Sequence, residues 1–345
     1  MKIENDTALF EWRGSSAPFL IGDFNNWEIK RAIRFTRVAK NFWTHTLTLP
    51  RDAYMEYAFV QRGRRLRDRL NPQPLTPNGI GAFNNYFYMP DAAPTTLFKR
   101  DRSVLHGKIT HHKISAPRLI TTLSRLVHLY RPPTSDPCPL ILYHPPASAP
   151  CPLIVVFDGE EYLKRACLPT IVDNLIAQER IRPVALAMIE NGGAENRFIE
   201  YACNDATVNL LTHIVLPLAR KHLNLLNDEG VHAALGASMG GLISLYTALR
   251  LPHIFGKVIS QSGGFPLDGD TSAILDLVNF NPKESIKIWM DIGKYDFPYL
   301  MGSNPRMRDL LIGKGYDVTY REYGGGHNWP SWRDEVWRGI ETMFS

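Results

Sequence analysis

The 345-residue sequence has no apolar run near the roughly 18 residues that a membrane helix needs, and its longest apolar stretches, Leu153–Phe157 and Val184–Ile189, are strand-sized. Its first residues, MKIENDTALFEWRG, lack the basic-then-apolar order of an export signal. The expected compartment is therefore cytoplasmic, and no membrane partner is expected. Cysteine is scarce: Cys138, Cys151, Cys167 and Cys203 form no C-x-x-C pair, which leaves a zinc site without support. In a reducing cytosol all four are free thiols. In an exported protein, Cys138 and Cys151, which flank a proline-rich segment, are the pair that would close. There is no internal repeat and no low-complexity tract. Neither sign of charge dominates, since 39 Lys+Arg face 34 Asp+Glu for a net +5. With 44% hydrophobic and 21% charged residues, wholesale disorder is excluded.

The length suggests two domains, and the charge is unevenly divided. Residues 1–98 hold 13 Lys+Arg and 9 Asp+Glu, whereas residues 99–345 hold 26 and 25. Much of the excess is one run, Arg62, Arg64, Arg65, Arg67 and Arg69, relieved only by Asp68. It reads as a solvated β-hairpin turning at Gly63, or as an electrostatic guide for an anionic ligand. No nucleic-acid motif accompanies it, so a nucleic-acid partner is not expected.

The two halves differ in texture. Ala8–Trp12, Ala17–Ile21, Phe42–Leu47 and Tyr54–Gln61 are aromatic and β-branched, and turn signals at residues 14–16, 23–26 and 50–52 separate them. This predicts a small β-sandwich over residues 1–98, with Trp27 packed inside it. A polar linker with three histidines is expected over 99–115. From residue 116 on, a strand at Leu126–Tyr130 and a short one at Leu140–Tyr143 precede an alternation of strands and helices. The strands are Leu153–Phe157, Val184–Ile189, Val231–Leu235, Lys257–Ser260, Ile286–Ile292 and Asp317–Tyr323. The helices are Leu168–Arg180, Asp205–His222, Gly241–Leu251 and Ser303–Gly315. That alternation predicts an α/β fold with a mostly parallel sheet, which binds ligands beyond the carboxyl ends of its strands.

The chemistry lies at those ends. Gly236-Ala237-Ser238-Met239-Gly240 matches G-x-S-x-G between a strand and a helix, the setting of a nucleophile elbow. A strained turn lifts the Ser238 hydroxyl clear of the sheet, and the flanking glycines remove side chains that would collide. The backbone N–H of Met239 then faces an oxyanion. A hydroxyl needs a base. Of eleven histidines only His327, after Gly324-Gly325-Gly326, follows the last strand. The glycines read as a mobile or tightly turned loop. His111, His112, His213 and His222 read as structural or solvated, with a metal site as the lesser alternative. The acid is expected after the strand ending near Ile292, which favours Asp296 over Asp291, with Glu322 third. A second oxyanion N–H is expected from Gly159 or Glu160, after Leu153–Phe157. Ser262, whose glycines follow it, is the rival nucleophile and reads rather as a pocket wall.

These residues resemble the esterase-D-like branch of the α/β-hydrolases, and within it the enterochelin (ferric siderophore) esterases. The resemblance rests on Phe157-Asp158-Gly159, on Asn196-Arg197 with Glu200 and Asn204, and on the elbow with Gly241. Ser260-Gln261-Ser262-Gly263 and Gly325-Gly326-His327 followed by Trp332-Arg333 extend it. Gly22-Asp23-Phe24-Asn25-Asn26-Trp27 resembles the signature of an N-terminal early-set, immunoglobulin-like domain, and Asp68 with Leu70-Asn71-Pro72-Gln73 a block of the same esterases. Ala237 and Met239 depart from the bulkier residues of that group, and Asn328 stands where Asp is common. The resemblance implies a serine carboxylic-ester hydrolase with an acyl-enzyme and no cofactor. Its implied partner is a small-molecule ester, foremost an anionic ferric siderophore lactone. Feruloyl or acetyl carbohydrate esters, acyl transfer, and a non-catalytic binding protein are the alternatives. It also implies that Arg197, Glu200 and Asn204 line the pocket, or form a structural salt bridge. Trp329 and Trp332 would stack on an aromatic acyl group, or simply pack.

Overall fold

The computed structural model describes residues 1–77, 82–116, 121–122, 124–133, 149–266 and 272–345. Cys138 and the expected strand Leu140–Tyr143 lie outside the described residues. By internal contacts the chain divides into two compact units. One comprises Met1–Pro94 with Ile292–Met301 and Glu322–Ser331; the other comprises Thr95–Asp291, Gly302–Arg321 and Trp332–Ser345.

Alternating burial along Thr7–Arg13, with Ala8 and Phe10 inward, makes one wall of the N-terminal β-sandwich. That strand pairs antiparallel with Lys2–Glu4 and Phe42–Thr48, and Thr36–Ala39 completes a four-stranded sheet. The facing sheet is built on Tyr54–Gln61, flanked by Phe19–Gly22 and Phe83–Tyr88. Phe10, Leu20, Met55, Tyr57, Phe59 and Phe87 fill the space between. Edge-on aromatic contacts such as Phe10–Tyr57, 5.0 Å between centroids, suit that packing. The arginine run does form the hairpin read from the sequence: Arg64–Leu66 pairs back onto Tyr54–Gln61 around Gly63, whose φ is 74°. Trp27 corrects its expectation. It is only half buried, because its φ of 60° turns it out of the core, and the Arg65 guanidinium covers its ring at 4.8 Å.

The α/β region forms an eight-stranded sheet. Its strands are β1 (Lys108–Ile114), β2 (Arg125–Arg131), β3 (Leu153–Phe157), β4 (Ala185–Ile189), β5 (His232–Ala237), β6 (Phe255–Gln261), β7 (Lys287–Tyr295) and β8 (Asp317–Gly326), in the order β1-β2-β4-β3-β5-β6-β7-β8. β2 runs antiparallel to β1 and β4, and β4-β3-β5-β6-β7 run parallel. Every residue of β3, β4 and β5 is buried, as expected for strands covered on both faces. β1 lies inside the stretch read as a linker. As the outermost strand it is largely exposed, so its polar Lys108, His111 and His112 carry no strand signal. The helices are α1 (Gly159–Lys164), α2 (Leu168–Ala177), α3 (Ala194–Tyr201), α4 (Asp205–Leu210), α5 (Leu216–His222), α6 (Met239–Arg250), α7 (Ala273–Phe280), α8 (Pro298–Gly313) and α9 (Trp329–Phe344). A π-helical stretch, Leu211–Val215, joins α4 to α5, so the expected helix 205–222 is continuous but widened one turn before Pro217, which lacks an N–H to donate. No helix among the described residues is long and apolar enough to cross a membrane.

Candidate active site

Ser238 sits between β5 and α6 with φ 57° and ψ −124°, a left-handed conformation costly for a residue with a Cβ. The turn is held from several directions. The Ser238 N–H donates to Gln261 O at 2.8 Å, and Ser238 O accepts from Gly241 N at 2.9 Å and Gly264 N at 2.8 Å. A Cβ on Gly236 would meet the backbone of Gly240, and one on Gly241 would meet Ser260 Oγ at 2.5 Å. Gly236 is therefore required by close approach of the two arms, and Gly241 by close approach of the neighbouring strand. Ser238 and Met239 remain partly exposed. The N–H groups at the very start of α6, Met239 foremost, have no intrahelical acceptor.

The strand beside it ends in Asp158, also left-handed at φ 54°, and α1 begins at Gly159. A Cβ on Gly159 would run into the Met188–Ile189 backbone, so this turn too demands glycine. Asp158 is almost wholly buried and accepts a bidentate pair from Arg197, Nε to Oδ1 and Nη2 to Oδ2, both at 2.7 Å. Asn191 Nδ2 adds a third bond at 2.7 Å. The same Arg197 Nη2 donates to Ala237 O at 3.1 Å. One guanidinium thus ties the end of β3 to the residue before Ser238. Burial works against its charge, but the Asp158 carboxylate more than compensates and holds the Arg197 pKa up.

In the other unit His327 and Asp296 come together. His327 Nδ1 lies 2.8 Å from Asp296 Oδ1, and Asp296 is fully buried just past β7. The Phe297 N–H donates to the same oxygen at 2.7 Å, and the Phe297 ring lies 4.8 Å from the imidazole. Nε2 is the ring nitrogen that Asp296 does not engage. The three glycines before His327 are not a mobile loop: they continue β8. Cβ atoms on Gly324, Gly325 and Gly326 would fall 2.7 Å from Asp52 O, 2.5 Å from Ser331 Oγ and 2.5 Å from the Asp23 carboxyl carbon, respectively. The strand can reach this place only without side chains.

The rival residues are engaged elsewhere. Asp291 is buried within β7 and accepts from Trp289 Nε1 at 2.8 Å; burial pushes its carboxyl up to about 8. Glu322 is exposed. Ser262 is fully buried and accepts from Trp332 Nε1 at 3.1 Å. Glu200 is buried, and Arg125, Thr121 N and Thr121 Oγ1 occupy its oxygens. Burial raises that carboxyl, but these donors outweigh it and lower its pKa. Asn204 caps α4 by accepting from Ala206 N at 2.8 Å. Arg197, Glu200, Asn204 and Trp332 are each tied to protein partners, in keeping with the salt-bridge and packing alternatives for Arg197, Glu200 and Trp332. Trp329 opens α9 and is half buried. The sequence reading missed Asn191 and the carboxylate role of Asp158, since a single Asp after a strand carries no pattern of its own.

The family described as "Putative esterase" matches residues 134–341. The iron(III) enterobactin esterase of Dickeya dadantii is 24% identical over 210 residues, 55% of this chain and 47% of that protein. The iron(III) salmochelin esterase of Escherichia coli (strain CFT073) is 26% identical over 255 residues, 69% of this chain and 58% of that protein. The chain thus spans about half the length of the curated relatives it matches. The crystal structure of the enterobactin esterase from Shigella flexneri, in the presence of 2,3-di-hydroxy-N-benzoyl-serine, superimposes with a TM-score of 0.77 at 20% identity. It covers 99% of this chain and 94% of that one, which is a likeness of fold.

Proposed function

The chain belongs to this esterase family, and on that premise we propose that it hydrolyses a catecholate siderophore lactone through a Ser238 acyl-enzyme. The observation that carries the reading is the pair of prepared ends: a strained, partly exposed serine at an elbow, and a histidine whose Nδ1 is held by the buried Asp296 at 2.8 Å. Ser238 Oγ attacks the ester carbonyl while His327 Nε2 takes its proton. Asp296 keeps the imidazole in the Nδ1–H tautomer and stabilises its charged form. The N–H of Met239, with that of Gly159 or Glu160, receives the developing oxyanion. As the C–O bond breaks, the proton passes from His327 to the leaving alkoxide. Water, deprotonated by His327, then cleaves the serine ester and restores the hydroxyl.

The substrate class follows from two supports. The relatives named above are esterases of ferric enterobactin and salmochelin. A ferric tris-catecholate is anionic, which suits a chain whose first 98 residues carry most of its net positive charge. Iron is then cargo of the substrate. The proposed compartment is the cytoplasm, consistent with the free thiols of Cys151, Cys167 and Cys203.

The test is a hydrolysis screen read by mass spectrometry, with ferric tris-catecholate lactones, feruloyl sugars and short aryl esters, on wild type and Ser238→Ala. The expected result is cleavage of the lactones that the variant abolishes. Equal activity in the variant would overturn the serine assignment, and preferential cleavage of feruloyl sugars would overturn the substrate.

A further inference from the structure

The Gly22–Trp27 turn is more elaborate than a strand connection needs, and its carboxylate meets the residues on either side of the histidine. Asn25 Oδ1 accepts from Gly22 N at 2.9 Å, and Asn26 and Trp27 both take positive φ, near 55° and 60°. A Cβ on Gly22 would fall 2.5 Å from Glu56 O. The result is to bury Asp23 with three N–H donors around it. Trp27 Nε1 donates to Oδ1 at 2.9 Å, and Glu56 N and Asn328 Nδ2 donate to Oδ2 at 2.8 and 3.3 Å. Asn328 directly follows His327. Its other side-chain atom, Oδ1, accepts from Ser331 N at 3.0 Å and caps the start of α9, so its amide is oriented at both ends. On the other side of His327, Gly326 passes so close to the Asp23 carboxyl that no side chain fits. One carboxylate therefore touches the chain immediately before and immediately after His327. All these residues belong to the same compact unit.

We propose that Asp23, in the β-sandwich domain, is a positioning residue for His327, fixing the imidazole through Asn328 and the Gly326 backbone. The inference rests on His327 being the base of the proposed reaction. It assigns the β-domain a part in catalysis in addition to any part in binding. Burial and the neighbouring Glu56 carboxylate push the Asp23 pKa up, against the pull of its donors, and Asp296 adds to the rise. The titratable groups facing Asp23 are therefore Glu56, Asp296 and, through its bond to Glu56, Tyr54.

The test is a double-mutant cycle in the full chain, with hydrolysis of a neutral aryl ester as readout. Asp23→Asn removes the carboxylate. Asn328→Ser retains a hydroxyl able to cap α9 but has no amide to donate to Asp23. A base displaced by about 1 Å costs on the order of 10²-fold in rate. Each single variant is expected to lower kcat at least about tenfold with KM within about twofold, and the double variant is expected to be no slower than the slower single. Thermal melts set the assay temperature below unfolding for every variant, so a purely structural loss leaves kcat unmoved. Wild-type kcat in either single variant, losses that multiply in the double, or a rise confined to KM would each overturn the proposal. A Ser238→Ala variant run beside them keeps the two readings apart, because wild-type activity in that variant refutes the serine mechanism whatever Asp23 does.

Discussion

Arg197 discriminates between a residue that holds the site together and one that binds substrate. In Arg197→Met the Asp158 carboxylate keeps the Asn191 bond but loses two charge-assisted bonds, and Ala237 O loses the bond from Arg197 Nη2. Asp158 is 2% exposed and Arg197 18%, so water reaches the arginine end only. Removing one partner of a buried pair costs about 3–5 kcal/mol. With the exposed end resolvated and one bond retained, the lower figure applies, about 3 kcal/mol. At about 2–4 °C per kcal/mol for a unit of roughly 150–250 residues, the range of the compact unit that holds Arg197, that is a fall in its Tm of about 6–12 °C. Urea unfolding followed by circular dichroism measures it, with m-values checked for constancy. Because Arg197 links β3 to the residue before Ser238, kcat should also fall, with the KM of neutral and anionic esters rising equally or not at all. A stability loss under about 1 kcal/mol, together with a KM that rises only for anionic esters, would refute the reasoning and make Arg197 a ligand contact.

Two further outcomes follow from the same geometry. Asp291, with its folded pKa near 8 and an unfolded value near 3.8, binds its proton more tightly when folded. Its contribution to stability is full below about pH 4 and is lost as pH rises through 8. Asp291→Asn should match wild type near pH 4 and exceed it at pH 8, with ester hydrolysis retained; abolished hydrolysis would instead make Asp291 the acid. Gln in place of Arg62, Arg64 and Arg67, which leaves Arg65 on Trp27 and Asn84, should raise KM for a ferric tris-catecholate at low salt. The difference should vanish near 1 M salt, where screening acts over about 3 Å, and a KM insensitive to both changes would reduce the run to surface charge.

Much of this fold was legible because its strands carry continuous apolar runs and its turns carry glycine. The elbow at Ser238 and the order serine, Asp296, His327 are local patterns; in the folded chain the serine is strained and His327 lies 2.8 Å from Asp296. What remained illegible depends on partners distant in sequence. Gly324 to Gly326 read as a mobile or tightly turned loop, yet they continue a strand and are needed for close approach to Asp52, Ser331 and Asp23. Arg197 and Glu200 read either as pocket residues or as a salt bridge because a polar helix gives no sign of the carboxylate or guanidinium that meets it. β1 was hidden because an exposed edge strand need not be apolar. Asp23 belonged to a recognisable turn, but only the folded chain brings Asn328 to it, 305 residues away.

The most direct measurement of the central claim is covalent. The full chain is treated with a fluorophosphonate, digested, and examined by mass spectrometry beside Ser238→Ala and His327→Ala. The account predicts one adduct, on the Ser238 peptide, absent from the first variant and strongly slowed in the second. An adduct on Ser262, or equal labelling of Ser238 without His327, would contradict it.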